Sequence, residues 1–199
     1  AWALRNWTAW NWLSGGQFVE QIVHTIDGMV WSMNEQLPLA AFGSGGRAQR
    51  RDDGDVWDHY DVYFEYDHNV AAHISCRQWV GCHGEIVDRT VCEKGMLVTP
   101  YRPHIQADKR WRFRGERGNM YADTHVAFYR FLRSGTWKQT LESAANKTLV
   151  AIMGREAAHT GQRITWEQIK KSATRLVPED LTMDTPLPPA RIPRPGRAA

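Results

Sequence analysis

The clearest pattern in the chain is an amphipathic stretch from Glu20 to Met33. Apolar side chains at i, i+4, i+7 and i+11 predict a helix with one buried stripe: Ile22, Ile26, Met29 and Met33. The same spacing gives a second stripe on nearly the opposite side: Glu20, His24, Asp27 and Trp31. A carboxylate, an imidazole and an indole on one helix face are typical of a functional site. An ordinary exposed Glu–His pair one turn apart is the alternative that the pattern leaves open.

Alternation of apolar and polar residues predicts two paired strands in the middle of the chain, at residues 56–66 and 70–79, joined by a turn at Asp67–Asn69. The predicted inward side chains are Tyr60, Val62, Phe64, Tyr66, Val70, Ala72, Ile74 and Cys76. Further strands are predicted at residues 39–43, 85–93, 96–99 and 111–113. Residues 44–55 have the composition of a polar loop.

Helices are predicted for much of the remainder, at residues 119–133 and 139–160, with Gly135 and Gly161 as their stops. The expected core contacts of the first are Tyr121, Val126, Tyr129 and Leu132, and those of the second are Leu141, Ala145, Leu149 and Ile152. Thr165 and Gln168 fit a capping box that begins a short final helix.

This order of elements predicts an α+β fold, with an open, mostly antiparallel sheet and helices packed on one face. The other face carries aromatic and arginine side chains, so we expect a second copy of the chain to cover it. Six of the nine prolines lie from Pro178 onward. We therefore expect one domain at residues 1–181 and a proline-rich, extended tail at residues 182–199, with solvated arginines at positions 191, 194 and 197.

Composition narrows the class of protein. A formal net charge of +3 over 199 residues is too small to indicate a nucleic-acid partner. No apolar run approaches the roughly 18 residues of a membrane span, and no signal peptide is visible. The three cysteines lack the spacing of a disulfide framework or a structural zinc site. Because the chain starts at Ala1 without a Met, we expect a piece of a longer protein. The sequence leaves its compartment open between bacterial cytoplasm and, if an export signal precedes the fragment, periplasm.

Four of the ten tryptophans fall within the first twelve residues. Indole rings bury large areas, so this opening must lie against something. The sequence leaves two alternatives open. The rings either pack on their own domain, or line a cleft that faces a sugar or a partner domain.

Several segments, in their order and spacing, resemble the C-terminal domain of the glucose-fructose oxidoreductase / inositol dehydrogenase / MocA family. These segments are residues 4–7, 12–16, 19–27, 76–78, 81–82, 94–95, 148–158, 160–161 and 165–167. The family has an N-terminal Rossmann domain that binds NAD(P) and a C-terminal α/β domain whose open sheet forms oligomer contacts. The resemblance implies that this chain is the second domain without the first. Consistently, no G-x-G-x-x-G stands between a predicted strand and helix.

The resemblance also maps a D-x-x-x-H pattern onto the first helix. His24 matches the catalytic histidine, and Glu20 stands where many members carry aspartate. An imidazole can take the hydroxyl proton as a secondary alcohol becomes a carbonyl, which supports His24 independently. Glu20 would orient His24 or accept a hydrogen bond from a sugar hydroxyl.

Weaker candidates for substrate-binding residues are Arg5, Trp12, Arg77, Gln78 and His83. For Arg77 the alternative is a charge at the oligomer face, and for His83 a plain loop position. Asp27 is interpreted as a helix-internal or domain-contact group. Metal binding by Glu20, His24 and His59 is disfavoured, because no third ligand follows at a defined spacing.

The sequence thus predicts the substrate-binding and oligomerisation domain of an NAD(P)-dependent sugar or polyol oxidoreductase. NAD or NADP would be held mainly by the Rossmann domain, with no cofactor-binding residue in this chain, so the isolated chain should not turn over. Two alternatives stay open: an NAD-dependent glycosidase of the same family, and a stand-alone, non-catalytic sugar-binding or assembly module.

Overall fold

The computed structural model describes residues 2–136, 140–182, 185 and 189–196. The chain divides into two compact units, Ala1–Cys82 with Ala144–Ala199, and His83–Ser143. The helices are α1 (Trp2–Arg5), α2 (Asn11–Ser14), α3 (Gln17–Glu20), α4 (Val23–Ser32), α5 (Met120–Ser134), α6 (Leu141–Thr160) and α7 (Trp166–Lys170). The strands are β1 (Ala40–Gly46), β2 (His59–Glu65), β3 (Ala71–Arg77), β4 (Asp88–Cys92), β5 (Gly95–Thr99), β6 (His104–Gln106), β7 (Trp111–Arg112) and β8 (Ile164–Thr165). Short 3₁₀ turns lie at Trp7–Ala9 and Asp67–Asn69.

The first unit is built on a four-stranded antiparallel sheet in the order β3–β2–β1–β8. Phe64 of β2 lies opposite Ala41 of β1 and Ala72 of β3, which fixes the face that each side chain occupies. The predicted inward side chains of the strand pair are confirmed, with one exception. Val70 is 44% exposed, because β3 begins only after it.

Helices pack on that inward face and complete the core. The buried side chains that α3, α4, α6 and α7 contribute are Phe18, Ile26, Val30, Val150, Ala151, Met153, Ala157, Ala158 and Ile169. The α+β class, with mostly antiparallel strands and helices on one sheet face, is therefore confirmed. The strands are divided between two sheets, where the sequence pattern suggested one.

The opposite face of the first sheet is open and carries a row of stacked rings. Phe42, Tyr63 and His73 lie on neighbouring strands, with ring centroids 5.4 Å and 4.8 Å apart. Phe42 and Tyr63 are 44% and 42% exposed. His73 Nε2 also lies 2.9 Å from Asp61 Oδ1. The aromatic outer face that the alternation predicted is thus present, and its Phe42 and Tyr63 rings are exposed.

The second unit holds another antiparallel sheet, in the order β4–β5–β6–β7. Its edge strand β7 matches the prediction, whereas β6 was not predicted. Helix α5 begins at an Asn119 cap and ends at Gly135, as expected. Its four predicted core side chains are exposed, and none of its residues, all of which the structure describes, is buried. The core contacts predicted for this helix are wrong.

Helix α6 was predicted from position 139, a residue that lies outside the described ranges. Leu141 and Ala145 are exposed, so these two core predictions are wrong. Leu149 and Ile152 do contact the core. The buried face is made mainly of small residues, and a Cβ added to Gly154 would lie 2.6 Å from Phe18 Cε1. A helix face made of small residues lets α6 approach the aromatic core closely. The hydrophobicity of the sequence alone does not reveal this close approach.

The final helix begins with the predicted capping box of Thr165 and Gln168. Among the described residues, none of the helices combines the length and hydropathy that a bilayer crossing needs.

Residues 189–196 of the proline-rich segment lie against the first unit. The Trp57 indole donates to the Pro193 carbonyl at 3.3 Å, and the Gly196 amide donates to the Thr160 carbonyl at 3.0 Å. Ala190 contacts the small cluster formed around Trp10. The arginines at positions 191 and 194 are exposed, as expected, while position 197 lies outside the described residues.

Candidate functional site

The approach to the candidate helix is fixed by two glycines and a buried arginine. Gly15 and Gly16 have φ of +77° and +78°, a region that side chains other than glycine rarely adopt. Arg155 of α6 is 5% exposed and donates from Nη1 to the Gly15 carbonyl at 3.2 Å. Its charge is paired with Glu156 at 2.7 Å. Sequence reasoning missed Arg155.

The predicted continuous helix from Glu20 to Met33 is wrong, because the chain forms two helices there. The Ile22 amide bonds back five residues to the Gln17 carbonyl, and the His24 amide bonds back three residues to Gln21. The regular i−4 pattern resumes at Ile26. Glu20 is consequently the last residue of α3, and His24 the second residue of α4.

The two predicted stripes survive this break. Ile26 is fully buried, and the other three members of the apolar stripe are half-buried against the core. Val30, which the prediction did not include, is fully buried as well. On the other side His24, Asp27 and Trp31 are exposed, and Glu20 is half-buried.

The His24 imidazole is open to solvent. Within the described ranges, no hydrogen bond or ion pair involves the side chain of His24 or Glu20. Helical side chains lean toward the N-terminus, so the residue one turn later would cover the imidazole. That residue is Gly28, which has no side chain. The imidazole is therefore accessible to a ligand.

Asp27 has a structural partner, consistent with its interpretation as a contact group. Its carboxylate lies 2.7 Å from Lys147 Nζ, and the Glu35 carboxylate lies 3.1 Å from the same ammonium. The hydrogen bond to Asp27, followed by that to Glu35, raises the pKa of Lys147. These contacts tie the middle of α4 and the turn that follows it to α6.

The end of β3 lies beside the turn between α3 and α4. Gln78 Nε2 donates to Gln21 Oε1 at 3.5 Å, and the Gln78 amide donates to the Asp58 carbonyl at 2.8 Å. Arg77 is exposed, with its guanidinium 5.5 Å from the centre of the Trp79 ring. Of the weaker candidates, Gln78 is thus brought next to the segment that carries Glu20 and His24.

The remaining candidates are placed elsewhere or belong to the other unit. Arg5 is exposed at the end of α1. Trp12 is half-buried and packs on the cluster of Ala9 and Trp10, so part of the tryptophan-rich opening packs on its own domain. His83 is exposed and belongs to the second unit.

A buried carboxylate that sequence reasoning missed holds the loop after β1. Asp58 is 1% exposed and accepts hydrogen bonds from the amides of Ala48, Gln49 and Arg50 at 2.7–3.0 Å. The Trp79 indole donates to it at 3.0 Å, and His59 Nδ1 lies 2.8 Å away. Burial raises the pKa of Asp58, but these hydrogen bonds, that of His59 foremost, outweigh it and hold the pKa well below its usual range.

A second histidine, His159, contrasts with His24. It lies in the core, with Nε2 3.0 Å from the Tyr60 hydroxyl and its ring 4.6 Å from that of Trp57. Burial, with a smaller contribution from the Arg155 charge, lowers the pKa of His159 to about 3. His159 is a neutral packing group at physiological pH.

The described residues do not fit a dinucleotide or metal site of their own. Gly15 and Gly16 stand between two helices, and Gly45 and Gly46 end β1 before a loop, so neither pair lies between a strand and a helix. Across the described ranges, no three His, Cys, Asp or Glu side chains are grouped as metal ligands would be.

Comparison with solved structures identifies the fold. A Thermotoga maritima protein assigned as an oxidoreductase matches with a TM-score of 0.63 and 21% identity, over 78% of this chain and 48% of that one. The aldose-aldose oxidoreductase from Caulobacter crescentus, complexed with glycerol, matches with a TM-score of 0.64 and 13% identity, over 80% and 50%. An oxidoreductase from Agrobacterium radiobacter in complex with NAD+, L-tartaric acid and magnesium gives 0.54 and 10%, over 73% and 47%.

The chain therefore has the fold of one half of these oxidoreductases, and it spans about half the length of the structures that it matches. No protein-family model matches the sequence, and a sequence search of curated proteins also gives no match. The family resemblance inferred from the sequence is confirmed at the level of the fold.

Proposed function

We propose that this chain is the substrate-binding and oligomerisation half of an NAD(P)-dependent sugar or polyol oxidoreductase. The observation that supports the proposal is the exposed imidazole of His24, which has no hydrogen-bond or ion-pair partner among the described residues and which the sequence resemblance matches to the family's catalytic histidine. The aldose oxidoreductase bound to glycerol supports a polyhydroxylated substrate, and the NAD+ complex supports a nicotinamide cofactor.

In this proposal His24 accepts the hydroxyl proton as the substrate carbonyl forms. A nicotinamide ring, held outside the described residues, supplies the hydride acceptor. Glu20 accepts a hydrogen bond from a neighbouring substrate hydroxyl or orients the imidazole, since its carboxylate has no partner in the described part of the chain. Gln78, beside the same turn, offers both an amide donor and an acceptor to further hydroxyls.

The other candidates keep a more limited place in the proposal. Arg77 shares the end of β3 with Gln78 and is exposed. Arg5, Trp12 and His83 stay predictions, because none of the described contacts connects them to the His24 segment.

The decisive experiment is the substitution His24→Ala in the protein that joins this chain to its cofactor-binding half. Removing a positioned base should lower kcat on the preferred sugar or polyol by about 10²–10⁴-fold, while the Kd for NAD(P) is unchanged. His125→Ala is the matched control, because His125 is exposed on α5. Turnover by H24A equal to that of H125A would refute the catalytic role.

We also propose that a second copy covers the open face of the first sheet. The support is the exposed row of Phe42, Tyr63 and His73, which spans three strands. Soluble proteins seldom leave such an aromatic surface in water.

A further inference from the structure

A cleft lies between the loop after β1 and the proline-rich segment. None of its lining residues belongs to the segment that carries His24. It has a volume of about 400 Å³, within the range of small-molecule sites. Four arginines line it: Arg47, Arg50, Arg51 and Arg194. The remaining lining residues are Gly45, Gly46, Trp57, Ile192, Pro193 and Pro195, so none is acidic.

The loop arginines are held in place before any ligand arrives. Asp58 accepts hydrogen bonds from three successive backbone amides of this loop, and these bonds fix the path of the loop. Arg47, whose side chain is 8% exposed, donates to the carbonyls of Asp52 and Gly54. Arg51 donates from Nη1 to the Ala48 carbonyl at 3.1 Å. A pre-ordered cationic wall loses little conformational freedom on binding.

The acidic residues of the same loop do not line the cleft. The Asp52 carboxylate pairs with both Arg47 and Arg50, and it accepts the Gly54 amide. The Asp55 carboxylate accepts the Asn11 amide at 2.7 Å, and Asp58 is turned toward the loop backbone. Asp52 therefore offsets part of the charge of Arg47 and Arg50, whereas Arg51 and Arg194 have no carboxylate partner among the described residues.

The proline-rich segment supplies the opposite wall. The hydrogen bonds of Trp57 to Pro193 and of Gly196 to Thr160 hold it on either side of Arg194. Arg194 is exposed, and no described residue pairs with it. Ile192 and the two prolines add apolar surface beside the charges.

We propose that this cleft binds a small organic anion bearing a phosphate or carboxylate group. Guanidinium groups recognise such oxyanions through paired, charge-assisted hydrogen bonds. The apolar wall accommodates the organic part, and the anionic group pairs with Arg51 and Arg194, which have no carboxylate partner among the described residues. The inference is independent of the proposed oxidoreductase activity, since it uses neither Glu20 nor His24.

Isothermal titration calorimetry of the 199-residue chain at low salt tests the proposal. Glucose 6-phosphate and glucuronate are the phosphate and carboxylate probes, and glucose is the neutral probe. At least one anionic sugar should bind about 10-fold or more tightly than glucose, because only it pairs with the arginines. The tighter of the two anions identifies the preferred group. Inorganic phosphate should bind more weakly than the better sugar anion, because it does not reach the apolar wall.

Charge-removing variants locate the binding. Arg51→Gln and Arg194→Gln should each weaken binding of the anionic sugar by about 10-fold, the usual effect of one charge-assisted contact. Arg191→Gln is the matched control, because Arg191 is exposed on the same segment and does not line the cleft. The proposal is overturned if neither anionic sugar binds, if glucose or inorganic phosphate binds equally well, or if R191Q and R194Q behave alike.

Discussion

Asp58 shows how one side chain can organise the surroundings of a cleft. It is buried and charged, yet it has no lysine or arginine partner among its described hydrogen bonds. Backbone amides, an indole and an imidazole replace the water that the carboxylate loses. Because those donors come from the loop and from Trp79, the charge couples the loop after β1 to the segment after β3.

Substitution of Asp58 by Asn should lower the free energy of unfolding by about 2–4 kcal/mol at pH 7, because the charged acceptor is lost from several buried hydrogen bonds. The folded pKa lies below the unfolded value of about 3.9. The stabilisation is therefore complete above about pH 4 and is lost as the pH falls further. Urea unfolding between pH 7 and pH 2 measures this dependence.

Asp53→Asn provides the control for the Asp58 substitution. Asp53 lies in the same loop and is exposed, so its substitution should change stability by less than about 0.5 kcal/mol. Equal effects of the two substitutions, or a D58N effect that does not shrink in acid, would contradict the role assigned to Asp58.

At the residue scale, the sequence allowed His24 to be predicted and left Arg155 and Asp58 unnoticed. His24 stands in a periodic stripe, so its exposure follows from the burial of Ile26 beside it. Burial of a lone arginine or aspartate depends on partners distant in sequence, such as the Gly15 carbonyl for Arg155. No local pattern encodes such a partner.

At the scale of elements, the close approach of α6 to the core depends on Gly154. An added Cβ would lie 2.6 Å from Phe18 Cε1 and 2.9 Å from Phe64 Cζ. Gly154→Ala should therefore destabilise the protein by about 1–2 kcal/mol, since overpacking outweighs the gain in helix propensity. Chemical denaturation of the purified variant gives the value.

The reference substitution is Gly28→Ala, in the exposed middle of α4. There only helix propensity acts, and stability should rise by about 0.5–1 kcal/mol. If G154A proved as stable as G28A, the tight packing of α6 would be disproved.

Strands and caps were predicted more accurately than helix continuity and packing. Alternation in β2 gives its buried face directly, because a strand has only two faces. The break between α3 and α4 escaped notice, because the apolar spacing continues across it from Ile22 to Ile26. The apolar stripe of α5 predicted burial, although periodicity does not say whether another element covers a helix.

At the scale of the whole molecule, the proposed assembly through the open face of the first sheet makes a testable prediction. Under the proposed oligomer, the wild-type chain sediments as a dimer or larger species at micromolar concentration. Tyr63→Glu should weaken the self-association by at least about 10-fold, because it places a charge among stacked rings. Analytical ultracentrifugation measures both.

Tyr121→Glu is the companion variant, because Tyr121 is exposed on α5 in the second unit and lies outside this face. It should leave the association of the wild type unchanged. A monomeric wild type, or equal effects of Y63E and Y121E, would exclude the sheet as the interface.

The division of the strands into two sheets could not be read from the chain. Each strand is visible locally, but its neighbour is chosen by contacts far apart in sequence, as in the pairing of β1 with β8. The order of the predicted elements supplied the α+β class, and the local pattern supplied the strands. Neither contains the information that separates β4–β7 from the first sheet.

The packing of residues 190–196 against the first unit determines where the protein can be truncated. The abundance of proline after position 178 invites truncation there, as though the remainder were a dispensable linker. Such a truncation would expose the Trp57 indole and remove the Pro193 carbonyl to which its nitrogen donates. The truncated protein would expose an apolar surface that the full chain covers. Its poor behaviour in solution would then result from the truncation and not from the domain itself.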